Sequence, residues 1–142
     1  MNVSAEVQAR QTFKITPIKP HIGAEISGID LTQPVNEETR QALYDAVVEH
    51  VAVVVRGQTF TPAQFAAAAE LFGDLMPDQI KTNLVKDVPM VSILDNFQKD
   101  SNGKQAKVPT NATWHTDHTN KELPPKFTIL HALAIPGKGG GT

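Results

Sequence analysis

An α+β fold is what the sequence predicts, and three observations carry that expectation. Short β-branched runs broken by Pro and Gly fill residues 13–31, two helix-capping signals follow at Asn36 and Thr61, and further apolar runs stand at 89–95 and 126–135. The 142 residues hold 40% hydrophobic and 20% charged side chains, enough apolar material for one packed domain and too varied a composition for a disordered or fibrous chain.

The elements follow in order. Met1 to Thr12 reads as a polar leader, and 13–142 as domain. Phe13 to Ile18 and Ile22 to Leu31 read as strands punctuated by Pro17, Pro20, Gly23 and Gly28. Asn36 can cap a helix over 37–50 that begins with Glu37 and Glu38, favourable near the positive end of the dipole, and runs through Leu43, Ala46 and Val47 to His50. Val51 to Val55, with four valines, reads as a strand buried on both faces, closed by Arg56 and Gly57. Thr61, Pro62 and Gln64 combine a capping-box spacing with proline at the first helical position, and Gly73 stands where that helix should stop. Pro89 to Asp95 reads as a strand, Asn96 to Pro109 as a mobile loop without periodicity, and Lys126 to Ile135 as a last strand entered from Pro124 and Pro125. The glycine-rich ending, Gly137 to Thr142, resembles a turn that hands the chain on, so we expect a domain cut short at its C-terminus.

Charge excludes some functions. Thirteen basic against fifteen acidic residues leave a net charge of −2 and no like-charge run of the kind that neutralises a phosphate backbone, so nucleic acid is not an expected partner. No stretch of 18 apolar residues occurs, which argues against a membrane partner, and we expect a cytoplasmic protein. The absence of cysteine removes disulfides, thiolate metal sites and a cysteine nucleophile, so any metal must be held by His, Asp or Glu.

The densest group of potential ligands is Trp114-His115-Thr116-Asp117-His118-Thr119. In an extended segment, 115 and 117 share one face, so an imidazole and a carboxylate converge on one ion while His118 points the other way. Completed by a distant His, such a pair makes the facial triad of non-haem Fe(II) sites. Taken alone, the spacing fits a polar surface strand equally well. His21, His50 and His131 read as a turn residue, a helix C-terminal cation and a strand residue, and Lys126 as a solvated edge residue.

Four segments in order carry a family likeness: Gly23-Ala24-Glu25-Ile26-Ser27-Gly28-Ile29-Asp30-Leu31, Leu71-Phe72-Gly73, Trp114-His115-Thr116-Asp117, and Pro124-Pro125 followed by a strand and Gly139-Gly140-Gly141-Thr142. Together they resemble the N-terminal half of the taurine dioxygenase (TauD/TfdA) family of Fe(II)- and 2-oxoglutarate-dependent oxygenases. The resemblance implies a double-stranded β-helix, or jelly roll, with flanking helices, of which this chain holds the N-terminal half. It implies His115 and Asp117 as two of three iron ligands, Thr142 as a hydrogen-bond donor to a 2-oxoglutarate carboxylate, Asn111 near the substrate and Trp114 packed against the barrel. The implied activity is hydroxylation of a small organic, acidic substrate with O2 and 2-oxoglutarate, releasing succinate and CO2.

Three departures accompany the likeness. The family's Gly-Gly-Asp-Thr is here Gly140-Gly141-Thr142 after another glycine, without the carboxylate. Asp78 and Lys81 stand where taurine-specific enzymes offer His and Tyr to a sulfonate, which argues against taurine itself. The distal His and the Arg that meets the far carboxylate of 2-oxoglutarate belong to a C-terminal half, so the chain by itself is expected to be inactive. Two other readings stay open: a non-catalytic truncated interaction module, and a zinc-dependent hydrolase, because His115-x-Asp117-His118 echoes the end of an H-x-H-x-D-H signature, with Thr113 in place of the first His. A homo-oligomer is compatible with all three.

Overall fold

The computed structural model describes residues 12–77, 84–95, 97–99, 105–107, 115–135 and 137–138. Nearly all of the expected leader, with Asp78, Lys81, Asn111, Trp114 and Gly139 to Thr142, lies outside them. The chain forms two compact units, Met1–Asp74 and Leu75–Thr142.

In the first unit, β1 (Lys14–Pro17) pairs antiparallel with β2 (Ala24–Ser27), and β2 pairs parallel with β3 (Val53–Val55), in the order β1-β2-β3. The parallel pair needs a crossover, and α1 (Glu37–His50) supplies it. Its start is set locally: the Asn36 side chain accepts from Thr39 N at 2.8 Å, and Glu37 and Glu38 occupy the first turn. Arg40 then grips Glu37 through Nε and Nη2, which holds the Glu37 carboxyl below and the Arg40 guanidinium above their ordinary ranges. Arg40 Nη1 also donates to the carbonyl of Leu71 at 3.3 Å, tying α1 to the end of α2 (Pro62–Glu70).

The expected capping box of α2 is formed in both directions, Gln64 N to Thr61 Oγ1 at 3.3 Å and Thr61 N to Gln64 Oε1 at 2.9 Å. Phe60, just before the cap, packs against Phe65 in the first turn with ring centroids 6.0 Å apart, a hydrophobic staple that fixes the entry angle of the chain. After Leu71 and Phe72 the chain leaves through Gly73 at φ 140°, a backbone conformation open to glycine.

The core is built from Ile26, Ile29, Leu31, Leu43, Ala46 and Ala68, with Phe13, Val35, Val53, Val55 and Phe72 packed against it. Ile29 and Leu31 lie beyond the end of β2, because Gly28 at φ 86° turns the chain out of the ladder. The side-chain amide of Gln58 replaces the lost ladder there: Oε1 accepts from Leu31 N at 2.9 Å, and Nε2 donates to the carbonyls of Ile29 and Arg56 at 2.8 and 2.9 Å.

Three expectations need correction. The valine run is not a strand buried on both faces: Val51 caps α1, β3 starts at Val53, and its burial alternates, Val53 and Val55 toward the core and Val54 exposed. The alternation shows that β3 is covered on one face. In the second unit, β4 (Leu84–Val85) pairs antiparallel with β5 (Val88–Ser92), close to the expected strand at 89–95. The expected loop at 96–109 contains an antiparallel pair instead, β6 (Phe97–Lys99) with β7 (Gln105–Lys107) in a register that joins Phe97 to Lys107. Ladder bonds there use the backbone, which apolar periodicity does not report. Finally, residues 126–135 form no strand, since no described segment supplies them with a ladder. No helix among the described residues is long and apolar enough to cross a membrane.

Candidate metal centre

His115 and Asp117 do meet, although not by strand alternation. Residues 115 and 116 carry no regular structure, a turn begins at Asp117, and His118 takes a left-handed conformation at φ 53°. His is among the residues that tolerate that region best. Lys121 N closes the turn on the carbonyl of His118 at 3.0 Å. The strand expected for this segment is therefore corrected to a turn.

Within it, His115 Nε2 faces Asp117 Oδ1 at 3.3 Å, and the second carboxylate oxygen, Oδ2, accepts from the hydroxyl of Thr128 at 2.8 Å. Both ligand candidates are open to solvent, with side-chain exposures of 68% for His115 and 42% for Asp117. A contact between side chains this exposed stabilises the fold little. The 3.3 Å separation is also close to what a shared ion would need, since two donor atoms each about 2.1 Å from one metal and about 90° apart stand about 3.0 Å from each other. One neutral imidazole nitrogen and one carboxylate oxygen form a donor set suited to Fe(II), and exposure leaves the remaining positions reachable.

The two residues fit two places of a facial triad and not the third. Among the described residues no group of three or more His, Cys, Asp or Glu converges. His118 sits in the turn, and His21 and His50 belong to the first unit. Thr142, Asn111 and Trp114 lie outside the described residues. Thr128 was not legible as a site residue, because its contact with Asp117 spans eleven positions. Between them the sequence offers the turn-favouring pair Pro124-Pro125, and the chain bends beside it, at 121–123 and at 126.

Residues 14–142 match the Taurine catabolism dioxygenase TauD, TfdA family. The chain belongs to that family. Among its relatives, the alkylsulfatase of Acinetobacter baylyi is 33% identical over 133 residues, covering 93% of this chain and 39% of that protein. The alpha-ketoglutarate-dependent sulfate ester dioxygenase of Pseudomonas putida is 32% identical over 133 residues, covering 90% of this chain and 40% of its own length. The crystal structure of a taurine dioxygenase from Burkholderia xenovorans superposes with a TM-score of 0.52 at 25% identity, over 62% of this chain and 34% of that one. The chain thus spans about two fifths of the length of these two relatives.

Proposed function

We propose that this chain is part of an Fe(II)- and 2-oxoglutarate-dependent dioxygenase that hydroxylates a small organic anion and releases succinate and CO2. The observation that carries the reading is the approach of His115 Nε2 to Asp117 Oδ1 at 3.3 Å inside the stretch that matches the TauD, TfdA family. The names of the two relatives add that sulfate esters are among the substrates handled by similar proteins, which favours an organic sulfate or a comparable acid over taurine. In this reading 13–142 is the N-terminal part of a single jelly-roll domain of a cytoplasmic enzyme, preceded by a leader at 1–12, and the 142-residue chain alone does not turn over.

Bound iron with 2-oxoglutarate and O2 supplies the oxidising chemistry. The chain's own residues bind and orient. His115 offers a neutral nitrogen, Asp117 offers one oxygen and a negative charge, and both leave the remaining positions accessible to co-substrates. In the same reading the family resemblance assigns Asn111 to the substrate and Thr142 to a carboxylate of 2-oxoglutarate.

The experiment compares two variants of the intact protein by iron content and 2-oxoglutarate decarboxylation. Asp117→Ala should lose activity by at least the 10- to 100-fold typical of removing a mere outer-shell partner of a metal site. His118→Ala should keep most of it. Loss of iron in His118→Ala with retention in Asp117→Ala would reverse the ligand assignment, and zinc-dependent hydrolysis that requires His118 would replace the reaction class.

A further inference from the structure

The carboxylate of Asp117 has two oxygens, and the structure treats them differently. Oδ1 faces His115 Nε2 at 3.3 Å, while Oδ2 accepts from Thr128 Oγ1 at 2.8 Å. An unrestrained carboxylate turns about its terminal torsion with little resistance, so it can present either oxygen, or both, to a cation. A hydroxyl held on Oδ2 removes that freedom. It occupies a lone pair of one oxygen and leaves the other, 3.3 Å from His115 Nε2, to meet a cation.

We propose that Thr128 is a positioning residue that fixes Asp117 as a one-oxygen ligand and so keeps further positions on the metal open. The inference rests on the metal-centre reading above and deepens it. Thr128 suits the task chemically. Its hydroxyl donates without carrying charge, so the site keeps one anionic and one neutral donor, and its β-branched side chain has few χ1 states in which to stray. The chain bends at 121–123 and again at 126 before reaching 128, whose hydroxyl meets Asp117. An acidic or basic residue there would compete with the ion or with Asp117. An apolar one would leave the carboxylate free to rotate.

The test titrates Co(II) into the intact protein and follows affinity and the visible absorption of the bound ion, with thermal melting of the metal-free form alongside. Thr128 is exposed, so Thr128→Val should melt as the parent does. It should nevertheless bind Co(II) about 10- to 100-fold more weakly, with an altered spectrum. Thr128→Ser, which keeps the hydroxyl, should restore the spectrum and most of the affinity. The proposal is overturned if Thr128→Val binds with parental affinity and spectrum, if Thr128→Ser is as impaired as Thr128→Val, or if the only change is a lower metal-free melting temperature. His115→Ala and Asp117→Ala separate the two levels of the argument. If they bind Co(II) as the parent does, the metal centre itself is refuted; if they lose it while Thr128→Val does not, only the positioning role falls.

Discussion

Thr39 carries a hydroxyl into the interior, 2% exposed, where Oγ1 has no hydrogen-bond partner. Its backbone N–H is already satisfied by Asn36, so the side chain does not take part in the cap. A buried polar atom left unpaired costs about 1–3 kcal/mol, and valine has nearly the same shape and the same branching at Cβ. Thr39→Val should therefore stabilise the protein by about 1 kcal/mol in denaturant unfolding, and a loss of stability would show that the hydroxyl is paired in solution. The same residue-scale view explains what the sequence could disclose. Asn36 and Thr61 were readable as caps because each acts three residues away. Gln58 was not, since its side chain meets Ile29 and Leu31 across 29 and 27 positions. The site divides in the same way: His115 and Asp117 are near neighbours in the chain, whereas Thr128 reaches Asp117 only through the fold.

At the scale of elements, the passage from α1 to β3 holds the most strained backbone among the described non-glycine residues. Val51 sits at φ 67°, ψ −41°, closing a three-residue γ-turn in which Ala52 N donates to the His50 carbonyl at 2.7 Å. That carbonyl also accepts from Gly23 N at 2.9 Å, so the turn hands α1 directly to the start of β2. A β-branched residue is costly at positive φ, by about 1–2 kcal/mol, and Val51 is largely exposed, so little packing offsets it. Glycine removes the strain and loses about 0.5–1 kcal/mol to chain entropy. Val51→Gly should raise the melting temperature slightly, a net gain of about 0.5–1 kcal/mol, and a clear drop would show that the valine side chain contributes packing. The apolar run at 51–55 concealed this turn, because composition registers β preference and not the sign of φ. The hairpin of β6 and β7 was concealed for the opposite reason, its polar residues carrying no periodicity. Helix ends were legible because caps are local chemistry, and strand ends less so because a partner decides them.

At the scale of the molecule, the fully buried side chains named for the core all belong to Met1–Asp74, and the candidate metal pair belongs to Leu75–Thr142. In the second unit Leu123, Leu130, Leu133 and Ile135 are strongly exposed, an apolar run with no ladder among the described residues. Family membership was legible from motifs spread along the chain, and the jelly roll was expected only through that resemblance; the described residues form three small sheets, and this chain spans 39–40% of two of its relatives. Those proportions bear on activity. In the proposed reading a facial triad needs three protein ligands, and the described residues bring together two candidates, His115 and Asp117. On that reading two ligands would hold iron loosely, and the arginine that the family resemblance expects at the far carboxylate of 2-oxoglutarate would have to come from outside these 142 residues. The isolated 142-residue chain, supplied with Fe(II), 2-oxoglutarate and O2, should form succinate at the rate of free iron alone, and His115→Ala should leave that rate unchanged. Succinate formation well above that background, and abolished by His115→Ala, would mean that a third ligand arises within these 142 residues or from a second copy of them.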